Sequence, residues 1–173
     1  WIHAGRGLDT LLRRNLATGA TTIFRRSLLS LAAPFPTEWL HDEWLAAIAA
    51  VVGQIDVLEL PLIDYRQHAA NVVGASRPSL LQNVQRAFAP RGDKPQQLVR
   101  RAEQFLERLV AIDAPPEALD KVRAKLRHQR FRAALPAGRL ARVLPIAREA
   151  LSGRYQRFNR GMRAVAADLL AAT

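Results

Sequence analysis

A chain of 173 residues that is 49% hydrophobic can bury a core and has the usual size of one domain, which excludes a disordered polymer. It contains no cysteine, so disulfide frameworks, thiolate nucleophiles and cysteine-based zinc sites are excluded, and a reducing compartment fits. The formal net charge of +11 is unevenly placed: residues 1–74 carry 6 Arg and Lys against 7 Asp and Glu, whereas residues 75–173 carry 20 against 8.

The N-terminus lacks a charged segment followed by an apolar block and a small-residue cleavage site, so no secretory signal is visible. The chain opens on Trp1 and reads as a fragment. In chain order, Leu8 to Leu16 has helical spacing, and Ala17 to Phe24, with Thr21, Thr22 and Ile23, favours a strand. Ser27 to Ala33 reads as a short helix stopped by Pro34 and Pro36, because proline cannot donate a helix hydrogen bond. Trp44, Leu45, Ile48, Val51 and Val52 form the apolar stripe of a core-facing helix that starts at Asp42 and ends at Gly53. The longest apolar run, Leu45 to Gly53, is far short of the roughly 20 residues that a bilayer-spanning helix requires.

Ile55 to Tyr65 reads as extended, with Asp56 and Glu59 outward and Pro61 marking an edge or bulge. Beyond Gly74 only helices are predicted, near Pro78 to Phe88, Pro95 to Ile112, Pro116 to Ala134, Leu140 to Leu151 and Arg160 to Ala172. In the second of these, Leu98, Ala102, Phe105, Leu106 and Leu109 make an apolar stripe from which Arg100, Arg101 and Arg108 mostly point away. The four histidines, His3, His41, His68 and His128, lie too far apart in sequence for a self-contained metal cage.

Three segments, RNLATGATTIFRR (Arg14 to Arg26), PFPTEWLHDEWLAAIAAVVGQI (Pro34 to Ile55) and LPLIDYRQHAANVVGA (Leu60 to Ala75), together resemble in order and spacing the bacterial family 2 glycosyltransferases, particularly their rhamnosyltransferase-like members. KLRHQRFRAALP (Lys125 to Pro136) and ALSGRYQRFNRGMRAVAADLL (Ala150 to Leu170) look like the helical extension of such proteins. The resemblance implies an α/β architecture: residues 1–75 as the acceptor-side half of a GT-A domain, with a mixed sheet and flanking helices, and residues 76–173 as a basic helical extension, the whole predominantly helical. It also implies that the first strand and the Asp-x-Asp motif, which binds a divalent cation (Mg or Mn) and the donor diphosphate, would precede Trp1.

The implied activity is inverting transfer of a sugar, such as rhamnose, from a nucleotide-diphospho-sugar donor to a glycan or lipid-linked acceptor in polysaccharide assembly. In such a reaction a carboxylate must take the proton of the attacking hydroxyl. The resemblance gives that part to Asp42, which a helix start would keep ionised; the residue types alone allow it to be a helix N-cap instead. By the same likeness Thr18, Gly19, Trp39, His41, Glu43, Arg66 and Gln67 would contact substrate, and His68 the metal or diphosphate. Trp44 is expected in the core, while turn formation accounts nearly as well for Asn71 and Gly74.

Two other readings stay open for the basic half. One is a helical nucleic-acid-binding module, against which stands the placement of Phe105 in an apolar stripe. The other is an interaction element that docks on the anionic cytoplasmic leaflet of a membrane. Arginine supplies 23 of the 26 basic residues, a bias that genome base composition explains as readily as phosphate recognition. The combined expectation is a cytoplasmic protein at the inner face of the bacterial plasma membrane, with no nucleic-acid partner.

Overall fold

The computed structural model describes residues 7–58, 60–64 and 88–172. Their regular structure is helical: α1 (Gly7–Arg13), a 3-10 turn at Gly19–Thr21, α2 (Leu28–Ala32), α3 (His41–Val52), α4 (Lys94–Ala111), α5 (Pro116–Ala133), α6 (Arg139–Leu151), α7 (Arg154–Phe158) and α8 (Met162–Leu170).

The longest pairing is the α4–α5 hairpin, and its turn is written into the chain. Asp113 takes the left-handed region at φ 51, a conformation that aspartate tolerates better than most residues. Ala114 N–H then reaches back to Leu109 C=O at 2.9 Å and Asp113 N–H to Val110 C=O at 3.2 Å, which closes the end of α4. Pro116 opens α5 at a position where a missing N–H costs nothing.

The stripe expected on α4 faces inward, with Ala102, Phe105 and Leu109 buried. Phe105 and Leu109 meet Trp44 and Ile48 of α3, Leu8 and Leu12 of α1, Val122 of α5 and Phe158 of α7 in one apolar cluster. Trp44 is wholly buried, as its helical position requires; its indole N–H donates to Ala32 C=O at 2.8 Å, and its ring stands edge-on to Phe105 at 5.8 Å. Lys125 ties three helices together, its ammonium donating to Leu12 C=O and Phe158 C=O at 2.7 Å each, at the C-terminal ends of α1 and α7.

The expected mixed sheet is not there. Among the described residues no strand pairs with another, which contradicts a GT-A fold and the α/β class. The physical reasons are local. Thr21 and Thr22 hydroxyls bond back to Thr18 C=O at 3.0 and 2.8 Å, and Thr21 and Thr22 N–H groups bond to Thr18 and Gly19 C=O, so the predicted strand at Ala17 to Phe24 is spent on a turn. Residues 54–58 and 60–64 contain no assigned strand and make no backbone–backbone hydrogen bond among the described residues. Extended propensity there finds no neighbour to pair with among the described residues.

Candidate docking surface

Folding assembles part of the site expected around α3. Gly19 N–H donates to Asp42 Oδ2 at 2.9 Å, and Asp42 Oδ1 accepts the N–H of Glu43 at 2.7 Å. A Cβ on Gly19 would stand 3.0 Å from His41 Nε2, so His41 closes over the turn. Leu40, not Asp42, is the N-cap; Asp42 sits inside the first turn, where the helix dipole still favours its charge. Thr18 accepts the turn's hydrogen bonds through its carbonyl.

Glu43 is turned away into an ion pair with Arg101. Trp39 donates its indole N–H to Arg101 C=O at 3.1 Å, and the Arg101 guanidinium covers its ring at 4.3 Å. Arg66, Gln67 and His68, with Asn71 and Gly74, lie outside the described residues. Among the described residues no group of three or more His, Asp or Glu could hold a metal ion. With neither a sheet nor such a cluster among the described residues, the glycosyltransferase assignment, its GT-A mechanism and its enzyme class are overturned. What Asp42 demonstrably does is fasten the 18–22 turn to α3.

A second cluster, unforeseen in the sequence, lies between α5, α6, α7 and α8. Asp168, 2% exposed, accepts Arg132 Nε–H at 2.6 Å, a second Arg132 N–H at 2.9 Å and the Tyr155 hydroxyl at 2.8 Å. Arg91 stands 3.6 Å from the same carboxylate. Burial, then the Asp168 charge, pushes the Tyr155 hydroxyl well above the ordinary tyrosine range.

Arg132 also donates to Asn159 Oδ1 at 3.2 Å, which orients that amide so that its nitrogen donates to His128 Nε2 at 2.7 Å. His128 must therefore carry its proton on Nδ1, which donates to Glu149 Oε1 at 2.7 Å. Burial holds His128 below its usual value despite Glu149, which agrees with this neutral tautomer.

Helix α6 rests on this cluster with its polar side. Arg142, 2% exposed, donates to Pro136, Ala137, Asp168 and Ala171 carbonyls, the last two at the C-terminal end of α8. Glu149 is held by His128 and, at 2.9 Å, by Arg154. Ile146 is the buried apolar residue between them.

The opposite side of α6 is apolar and faces out. Leu140 and Leu151 are each 89% exposed, Leu144 58% and Val143 51%, and Ala147 is exposed with them. At helical spacing these five positions fill an arc about 100° wide. Arg139 and Arg148 flank that arc on either side, both exposed. Arg139 also lies over the half-exposed Phe88 ring at 5.6 Å.

The sequence places this helix correctly but not its outward face. The spacing of 140, 143, 144, 147 and 151 is the available signal, and periodicity alone would turn it inward. No helix among the described residues is long and apolar enough to cross a membrane. No family model matches the chain, nor does any curated protein or any solved structure.

Proposed function

We propose that this chain is a helical docking module that binds a phosphate-bearing anionic surface. The observation that carries the reading is the state of its charges. Arg127, Arg139, Arg148, Arg157, Arg160 and Arg163 are exposed and have no ion-pair partner among the described residues. The acids of the same half are scarcer, and Asp93, Glu103, Asp120, Glu149 and Asp168 are already paired.

Surplus positive charge of this kind draws phosphate oxygens, arginine being suited to them by its planar fork, and binding releases counterions. Such phosphates line the inner face of the bacterial plasma membrane, and the cysteine-free chain suits the reducing cytoplasmic side. The test is binding of the labelled full chain to sodium polyphosphate across a salt series. Affinity should fall steeply with salt. Replacing Arg127, Arg148, Arg157, Arg160 and Arg163 by Gln should flatten the slope by roughly 0.7 to 0.9 for each phosphate that the variant no longer neutralises. No affinity at low salt would reject the reading.

A further inference from the structure

We infer that the anionic surface is a lipid bilayer and that the outward apolar arc of α6 enters it, with Arg139 and Arg148 at the level of the phosphates. This inference rests on the docking reading above and goes further by fixing the partner and the face. Two observations select lipid over nucleic acid.

First, three aromatic residues of the basic half, Tyr155, Phe158 and Phe105, are 0%, 1% and 2% exposed, and the half-exposed Phe88 ring is covered by Arg139. The three buried rings hold the core together and offer no platform to a base. Secondly, α6 is amphipathic in the reverse sense for a core helix. Its charged residues Arg142 and Glu149 are inside and satisfied, while its leucines are outside. A nucleic acid has no use for exposed leucines, but the acyl boundary of a bilayer does.

An arc of Leu140, Val143, Leu144, Ala147 and Leu151 edged by arginines is the pattern of a helix lying in the plane of an interface. The long arginine stems can cover apolar surface while their heads reach phosphate. Phe88 beneath Arg139 extends the apolar surface at the N-terminal end of α6. The flanking charge argues for anionic lipid over a purely zwitterionic surface, each basic residue near such a membrane adding attraction.

The chain lacks cysteine, so a single Leu144→Cys substitution carries one environment-sensitive dye with no competing site. The labelled full chain is mixed with vesicles of phosphatidylcholine alone, with vesicles that also contain phosphatidylglycerol, and with single-stranded RNA. A Glu117→Cys label on the first turn of α5 is the control. Anionic vesicles should bind the chain and shift the dye at position 144 to the blue, with position 117 unchanged.

Leu140→Ser and Leu151→Ser in the otherwise unlabelled chain should each weaken vesicle binding roughly tenfold. Unchanged melting curves for both would exclude unfolding as the cause. Vesicle binding that ignores both serine substitutions, with no dye shift, would overturn insertion and leave only electrostatic docking. Binding to RNA but not to vesicles would overturn the bilayer and leave the phosphate reading standing. A dye at position 144 already buried in a concentration-dependent dimer would assign the face to a second copy and also overturn the inference. Loss of both vesicle and polyphosphate binding would remove the docking reading itself.

Discussion

Removing the Asp168 carboxylate should be the most damaging single change in the polar cluster. Asp168 neutralises Arg132, which is itself part-buried, and accepts three hydrogen bonds from Arg132 and Tyr155. Asp168→Ala leaves a guanidinium in the interior facing an empty position, a situation that costs about 3–5 kcal/mol. Each kcal/mol moves the midpoint of a chain this size by roughly 2–4 °C, so a loss of roughly 6–20 °C is expected. Urea unfolding of the full chain measures the free energy, and a double-mutant cycle with Arg132→Met isolates the pair. The double variant should lose less than the sum of the two single changes, because the Arg132 guanidinium is then no longer left facing the position that Asp168 vacated. A cost below about 1 kcal/mol for Asp168→Ala, or a coupling near zero, would refute the assignment of Asp168 as the centre of that cluster.

Two further changes probe other parts of the fold. Burial, followed by the charges of Arg132 and Arg101, pushes the Lys125 ammonium from 10.5 down to about 7, with Glu43 opposing. Between those two values the unfolded chain holds a proton that the native state has released. Stability should therefore rise as pH goes from 7 to 9, by up to about 1.4 kcal/mol per unit, and Lys125→Met should abolish that contribution. Urea midpoints at pH 7 and pH 9 check it, and equal slopes in both proteins would reject it; measurements stop short of pH 10, where the raised Tyr155 begins to act in the opposite sense. Asp42→Ala removes the acceptor of Gly19 N–H at a cost of about 1 kcal/mol. Hydrogen exchange at Gly19 should accelerate while core amides stay protected, and an unchanged Gly19 rate would show that something else holds the turn.

Helices α4, α5, α6 and α8 were legible because their signals are local, while the helix expected near Pro78 to Phe88 lies almost wholly outside the described residues. Pro116 marks the start of α5, and the stripe Ala102, Phe105, Leu109 gives the inward side of α4. Helix α7 was missed: its five residues, Arg154–Phe158, are too few to show a period, although Tyr155 and Phe158 are both buried. The strands failed for the complementary reason. Thr21, Thr22 and Ile23 have extended propensity, but a strand exists only with a neighbour, and the hydroxyls of the two threonines found Thr18 instead. Short motifs singled out Gly19 and Asp42 separately, as a glycine turn and a helix start, without foreseeing that the Gly19 N–H would bond to the Asp42 carboxylate. They carried no information on whether a sheet lay behind it.

The side of α6 that faces inward could not be read from its sequence, because the deciding partners lie elsewhere in the chain. His128, Asp168 and the carbonyl of Ala171 make an interior that accepts Arg142 and Glu149. In terms of stability alone this is a poor arrangement: buried ionic clusters are often matched or bettered by apolar side chains of the same size. Turning α6 over would bury Leu140, Leu144 and Leu151, each worth about 1.5–3 kcal/mol when fully removed from water. That gain is forgone, and the leucines stay outside between two arginines. The polar interior thus acts as a lock on the orientation of α6, holding its apolar side where an amphiphilic surface can meet it. If the lock is the reason for the cluster, loosening it by Glu149→Ala should weaken binding to anionic vesicles even though Glu149 itself is buried and cannot touch them. Retained affinity in a folded Glu149→Ala chain would separate the cluster from the docking face.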